Sequence, residues 1–356
     1  MKSLILFIVL LSVIALIHEF GHFVAAKIFG VYVQEFSVGM GPKIFQFKGK
    51  ETKFSFRAIL LGGYVALAGD SGNGAENDEE SKDIPYERTL PGVAPIKRIV
   101  IMLAGIFMNF VLAISIVAII LMSVGKTTVS PKPVIASISE GYPADLVGLK
   151  DGDLIKKITL ANGYSLRPKD FQDVTYMFGM YEGEGNITLK IYRDNKTFDV
   201  PVKPVYSEEE GRYIIGINSL MNEVVDITFF NSFYYATKDL WAMTKILIIV
   251  LLGLFRGVGL NNLSGPIGIY SATAEVASYG FINYMYFMAT LSLNVGIMNA
   301  LPIPLFDGGR VVLTIIEMIT RKPISKKTES IAMAISIGLV ILLVLCATYQ
   351  DIIRIF

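Results

Sequence analysis

Histidine, cysteine and tryptophan are nearly missing from this chain, which holds 2 histidines, 1 cysteine and 1 tryptophan in 356 residues. A single cysteine excludes any disulfide within the chain, and Cys346, set in an apolar run, reads as a small buried hydrophobe rather than a redox or metal group. Charge is also scarce. Asp, Glu, Lys and Arg make up 18% of the residues and the net charge is +1. No global field favours nucleic acid or an acidic partner, and no basic stripe is interleaved with aromatics. What is abundant is apolar surface: 53% of the residues are hydrophobic and the mean hydropathy is +0.55. That composition exceeds what an ordinary soluble domain carries and places the chain in a membrane.

A spanning helix needs about 20 mostly apolar residues, because each residue rises ~1.5 Å through a hydrocarbon core of ~30 Å. Residues 4–29, 96–124 and 331–347 meet that requirement, and 284–301 is a fourth run carrying small and amide side chains. The first 17 residues, with Lys2 ahead of an apolar run, have the outline of a cleavable signal peptide. The run continues into His18-Glu19-Phe20-Gly21-His22 without a small-residue cleavage site, so a retained first span is expected.

Between the first two spans, residues 31–67 alternate apolar and polar side chains in short stretches broken by Gly39, Gly41-Pro42 and Gly49. Period-two patterning predicts β-hairpins. Residues 70–83 are acidic, small and almost free of apolar side chains, which predicts a mobile loop. From about Thr127 to Val205 the composition becomes that of a soluble domain. Within it, the run from Tyr142-Pro143-Ala144-Asp145 through Gly148-Leu149-Lys150-Asp151-Gly152-Asp153-Leu154-Ile155 resembles the helix-turn-strand signature of PDZ domains. The resemblance implies a groove where a peptide adds as a strand. A PDZ-like fold serving only as a steric plug fits the sequence equally well.

Residues 233–255 tempt a fifth span but carry Lys238, Asp239 and Lys245, which suits an amphipathic helix at the interface. With four spans, the loop after the first and the loop before the last share one side. Both are basic: Lys43, Lys48, Lys50, Lys53, Arg57, Lys82, Arg88, Lys97 and Arg98 in one, and Arg310, Arg321, Lys322, Lys326 and Lys327 in the other. The positive-inside rule puts both in the cytoplasm and the PDZ-like domain outside, with Lys2 the one dissenting charge.

His-Glu-x-x-His on a helix sets two imidazoles one turn apart on one face, where both reach a single Zn²⁺. Glu19, beside the first, is placed to take a proton from a metal-bound water. Two histidines and a glutamate in a span are costly, so a function is expected of them. Hydrolytic zinc takes three protein ligands and one open position. No further histidine exists, and the best carboxylate is Asp307 in Asn299-Ala300-Leu301-Pro302-Ile303-Pro304-Leu305-Phe306-Asp307-Gly308-Gly309. Two prolines break the helix there, and broken backbone at membrane depth survives only inside protein or beside a water-filled cavity.

With these pieces in order, the chain resembles the bacterial site-2 proteases, intramembrane zinc metalloproteases. The matching segments are His18 to His22, Leu61-Gly62-Gly63-Tyr64-Val65, Ala104-Gly105 through Asn109-Phe110, Leu263-Ser264-Gly265-Pro266-Ile267-Gly268, and Asn299 through Gly309. The resemblance implies one zinc ion per chain on His18, His22 and Asp307, with Glu19 as catalytic base. It also implies an edge strand near Leu61, Gly62 and Gly63 that pairs with unwound substrate, and substrate contacts from Asn294 and Asn299. Implied partners are the lipid bilayer and single-span membrane proteins such as anti-sigma factors or signal-peptide remnants; a peptide at the PDZ-like groove is a further expectation. The implied location is the bacterial cytoplasmic membrane. Many relatives carry two PDZ domains in tandem, whereas this chain has room for one.

The architecture expected is a polytopic α-helical membrane protein of four transmembrane helices, a membrane-associated β-hairpin region and one inserted PDZ-like α/β domain. Its segments are span one with His-Glu-x-x-His (1–30), cytoplasmic-side hairpins and acidic loop (31–95), span two (96–125), the PDZ-like domain (126–207), a linker with the interfacial helix (208–281), span three with the third ligand (282–309), a basic cytoplasmic loop (310–330) and span four (331–356). A zinc-binding transporter and a membrane-anchored PDZ scaffold are the alternatives. Glu19 and the lack of a second metal cluster argue against the first, and the charged mid-span groups against the second.

Overall fold

A chain in hydrocarbon must satisfy its backbone polar groups internally, so its long apolar runs fold as helices. The structure is a computed structural model that describes residues 2–70, 84–181, 183–254, 264–322 and 324–355. In chain order, α1 (Lys2–Ile28) leads into β1 (Val33–Lys48) and β2 (Lys53–Leu67), and a 3-10 turn at Tyr86–Arg88 precedes α2 (Pro95–Val124). An insert follows, with β3 (Lys126–Val129), β4 (Ile135–Ile138), α3 (Pro143–Leu146), β5 (Leu154–Thr159), β6 (Ser165–Leu166), α4 (Phe171–Gly179), β7 (Ile187–Arg193) and β8 (Lys196–Val202). It closes with β9 (Val205–Ser207), β10 (Arg212–Ile214), β11 (Ile217–Ser219) and β12 (Glu223–Asp226). The chain then forms α5 (Phe229–Leu254), α6 (Pro266–Ser278), α7 (Phe281–Asn299), α8 (Asp307–Thr320) and α9 (Lys326–Ile355). Among the described residues, α1, α2, α7 and α9 are the four helices long and apolar enough to cross a membrane.

The chain divides into two compact units, residues 1–123 with 228–356, and residues 124–227. In the first, α1, α2, α5 and α7 share a core built on Leu10, Ile14, Ala113, Val117, Ala236, Leu240, Met288 and Leu293. Small residues let helices approach where no hydrophobic drive from water exists. A Cβ at Gly21 would overlap the carbonyl of Ala104, so α1 and α2 cross in backbone contact there. α5 packs on α7 through Tyr286, whose hydroxyl donates to Asp239 Oδ2 at 2.9 Å, with Met243 one turn further on beside Tyr286 and Thr290. Its first turns leave Phe229, Phe230, Phe233 and Tyr234 exposed.

The hairpin expected over residues 31–67 is present, with a folded-back register. β1 residues 35–38 pair on one side with Lys53 to Phe56 and on the other with Gly63 to Ala66. In this two-stranded sheet the segment 63–66 pairs with β1 on one side and forms the outer edge. Positive φ at Gly39 (85°) and Gly62 (80°) supplies the bends this register needs. The base of the hairpin packs on α1 and α2 through Val33, Val65 and Leu67 against Ala25, Ala26, Ile101 and Met102. Ser12 Oγ donates to the Leu60 carbonyl and Val65 N–H donates to Glu19, so the last stretch of β2 follows α1.

The second unit holds a four-stranded antiparallel sheet in the order β6-β5-β7-β8, with its core at Ile155, Ile158, Val174, Met177, Ile187, Leu189 and Ile191. The Gly152-Asp153 pair of the PDZ-like signature has a physical role. Asp153 is fully buried, accepts from the Lys150 N–H at 2.9 Å and forms a bidentate pair with Arg193 at 2.5 and 2.6 Å. The unit runs beyond the segment 126–207 expected from composition, because β11 returns to pair with β4 and β12 with β3.

Three expectations change. Residues 310–330 are not a basic loop: α8 occupies Asp307–Thr320 and puts Val311 through Ile319 on an amphipathic helix. Cys346 is exposed on α9 rather than buried. The last helix begins at Lys326, earlier than the span at 331. The acidic loop expected at 70–83 lies outside the described residues from 71 onward, as does Leu263 of the Ser-Gly-Pro segment.

That segment does have a visible purpose from Ser264 on. Gly265 caps α6 without a side chain of its own, and the Gly268 N–H instead donates at 2.8 Å to Asp351 Oδ2 from α9. A Cβ at Gly265 would lie 2.8 Å from the same oxygen, so the glycine makes room for it. Asp351 is 2% exposed. Its replacement by Ala leaves a buried N–H without a partner, a loss of about 1–3 kcal/mol, whereas Asn keeps an acceptor. Thermal unfolding in detergent should therefore show Asp351→Ala melting well below the native chain, with Asp351→Asn between the two.

Candidate active site

Helical spacing puts His18 and His22 on one face of α1, and both are buried. Asp307 reaches them from the first turn of α8. α7 ends at Asn299, the prolines turn the chain over residues 300–306, and α8 starts at Asp307. Gly308 and Gly309 are required by that turn, since a Cβ on either would overlap the carbonyls of Ala300 or Ile303.

Three atoms converge: His18 Nε2 and His22 Nε2 are 3.2 Å apart, and Asp307 Oδ2 lies 3.0 and 3.3 Å from them. Asp307 Oδ2 is buried, and neither imidazole meets it with hydrogen-bond geometry. Tetrahedral zinc with ligand bonds of about 2.0–2.1 Å separates its ligand atoms by about 3.3 Å. The triangle therefore fits such an ion, and the donor set of two imidazoles and a carboxylate is one that zinc accepts. His22 is oriented from behind: Nδ1 lies 2.8 Å from the Ile101 carbonyl, which can only accept, so Nδ1 carries the proton and Nε2 is left with its lone pair. Behind His18, Nδ1 faces the side-chain amide of Asn109 at 3.2 Å. Gly105 of α2 keeps the front open, because a Cβ there would overlap His22 Nε2.

Glu19 follows His18 in the chain and shares with the three converging groups a cavity of about 330 Å³. The Val65 N–H donates to its Oε2 at 3.0 Å, which fixes one carboxylate oxygen and leaves the other for chemistry. Asn299 lines the cavity, whereas Asn294, half-buried on α7, is not among its lining residues. From β2, the wall is made by Val65 and Leu67 rather than by Gly62 or Gly63. Leu61 lies in β2.

Sequence reasoning missed Asp70 and Arg310, which also line the cavity and form an ion pair at 2.9 and 3.1 Å. Arg310 stands three residues after Asp307, a spacing that sets both on one helical face once α8 is known to be a helix. Asp70 carried no local signal. The Ile101 carbonyl behind His22 has none either, being backbone.

Gly105→Ala should leave the helix intact but push His22 aside. We expect the purified folded variant to lose most of its zinc, as read by metal analysis; full retention would show that α2 does not set the imidazole's position.

The peptidase family M50 profile matches residues 6–345. A putative zinc metalloprotease of Clostridium acetobutylicum is 34% identical over 352 residues, 99% of this chain and 97% of the relative. One of Fusobacterium nucleatum is 30% identical over 98% of each chain. The regulator of sigma-W protease RasP of Bacillus subtilis is 29% identical over 100% of this chain and 99% of its own. Among solved structures, the PDZ domain of an SdrC-like protein of Listeria monocytogenes aligns with 26% of this chain and 93% of its own, at 20% identity and a TM-score of 0.22. With a family match across nearly its whole length and relatives of this identity and coverage, the chain belongs to peptidase family M50, the site-2 protease family, and is an intramembrane zinc metalloprotease.

Proposed function

We propose that the chain binds one zinc ion on His18, His22 and Asp307 and hydrolyses peptide bonds within the transmembrane segments of single-span proteins, with Glu19 as the proton-transferring base. The observation that carries this reading is the convergence of the three ligand atoms within 3.0–3.3 Å of one another, in a cavity that also holds Glu19. Zinc, when bound, supplies Lewis acidity toward the scissile carbonyl and a water that gives up its proton near neutral pH. Glu19 takes that proton on the oxygen not held by Val65 and passes it to the leaving amide nitrogen. Arg310, paired with Asp70, keeps a cation at the cavity wall one helical turn from Asp307.

A peptide bond inside a helix is shielded by its own hydrogen bonds, so the substrate must unwind first. The stretch 61–66 of β2, whose residues 63–66 form the outer edge of the hairpin, is the place for it, since an extended substrate can add to a strand edge. Asn299, on the cavity wall, is suited to bind the unwound backbone; Asn294, five residues earlier on α7, is not among the lining residues. The hairpin's far end exposes Ile44, Phe45, Phe47, Phe56, Ile59 and Leu60, which supports its dipping into the bilayer.

With α1, α2, α7 and α9 as spans, the positive-inside rule sets the active site toward the cytoplasm of a bacterial cytoplasmic membrane and the inserted unit outside. The exposed aromatics at the start of α5 support an interfacial position for that end of the helix. The inserted unit, PDZ-like in signature, is assigned to gating or to reading a peptide. Substrates of the class suggested by a relative named as a sigma-W regulator, such as single-span anti-sigma factors, suit this reading; signal-peptide remnants are the other candidates.

Cleavage of a tagged single-span substrate in detergent, with zinc measured in the same samples, tests the roles. The native chain should hold about one zinc and cut. Glu19→Gln should keep zinc and lose at least about 100-fold in rate, as removal of a general base does. Asp307→Ala should lose both. Normal turnover by Glu19→Gln would overturn the assignment.

A further inference from the structure

The two imidazoles of the site are held from behind in different ways. His22 donates its Nδ1 proton to the Ile101 backbone carbonyl, a partner that no side-chain change removes. Among the described residues, His18 has only Asn109, whose side chain is fully buried and lies 3.2 Å from Nδ1. As placed, the amide nitrogen faces Nδ1 and the amide oxygen, also buried, reaches no donor. Amide oxygen and nitrogen are interchangeable by a half-turn, and their placement follows from the hydrogen-bond network. If Nε2 of His18 is to offer its lone pair beside Asp307, the neutral ring must carry its proton on Nδ1. That N–H needs an acceptor, and the Asn109 oxygen is the group positioned to provide it.

We propose that Asn109 is a positioning residue for the metal site: its side-chain oxygen accepts from His18 Nδ1–H and thereby fixes the ring's tautomer and tilt for zinc binding. The inference rests on the zinc reading above. Metal-bound imidazoles generally donate their other N–H to a carboxylate, carbonyl or water, and loss of that partner costs 10- to 100-fold in metal affinity or activity. Asn109 is itself immobilised. Its backbone carbonyl accepts from Ser292 Oγ at 2.9 Å, and Gly296 of α7 packs so closely that a Cβ there would sit 3.3 Å from the Asn109 Cβ. α7 thus clamps the residue that orients a ligand on α1. Because the same α7 leads into the turn carrying Asp307, two of the three groups depend on how that helix is seated.

A purely structural Asn and an orienting one respond differently to substitution. Asn109→Asp keeps an acceptor toward His18, whereas Asn109→Ala removes it. The full-length native chain and both variants would be compared in detergent by zinc competition against a chelator, with the visible absorption of the Co²⁺-substituted protein as a readout of ligand geometry. We expect Asn109→Ala to bind zinc ~10- to 100-fold more weakly and to change the cobalt spectrum, and Asn109→Asp to remain within a few-fold of native. Equal zinc affinity in Asn109→Ala and the native chain would overturn the positioning role while leaving the zinc site intact. So would Asn109→Asp losing as much affinity as Asn109→Ala, the pattern of an Asn that serves only packing. Should Asn109→Ala fail to fold, Asn109→Asp decides alone: retained affinity supports the role and lost affinity overturns it. A native chain without zinc would overturn the metal reading and this one with it.

Discussion

Buried polar groups need partners, and the architecture around His18, His22 and Asp307 follows from that requirement. α1 supplies the imidazoles, α2 the Ile101 carbonyl and the Asn109 amide behind them, and α8 the carboxylate, whose Oδ2 meets no hydrogen-bond donor and faces the two Nε2 atoms at the point where a cation fits. The arrangement needs α1 and α2 in backbone contact, which Gly21 and Gly105 permit, and a helix break before Asp307, which the prolines and the Gly308-Gly309 pair permit. The glycines and prolines of the sequence are thus read as spacing devices for a buried polar centre. Their other consequence is a cavity large enough for water beside Glu19.

The hairpin belongs to the same centre. Its base is packed into the α1 and α2 junction by Val33, Val65 and Leu67, and its Val65 amide is bonded to Glu19. The hairpin strand and the Glu19 carboxylate are therefore linked by one hydrogen bond. The inserted unit between residues 124 and 227 has a separate core and its own buried ion pair at Asp153 and Arg193.

Much of this was legible in the sequence because the signals are local. The i, i+4 histidines announce one helical face, alternation over 31–67 announces strands, and Asp307 stands out because prolines and glycines break an apolar run around it. Helix α8 was hidden by its basic residues: Arg310 and the Arg321-Lys322 pair read as a loop, while the apolar stripe from Val311 to Ile319 shows its helical period only after the start at Asp307 is fixed. The other misses are long-range. Asp351 capping α6 across 83 residues, β11 and β12 returning to β4 and β3, and Arg310 meeting Asp70 across 240 residues leave no trace in any short window. Cys346 was misplaced for a different reason. In lipid an outward-facing position is apolar too, so hydrophobicity does not separate the buried face of a span from the exposed one.

Zinc held by two imidazoles and one carboxylate has a distinct signature in zinc-edge X-ray absorption of the full chain in detergent. The expected spectrum has a shell of nitrogen and oxygen ligands at about 2.0–2.2 Å with the outer-shell scattering of two imidazoles. A shell containing sulfur, or one without imidazole, would rule that ligand set out.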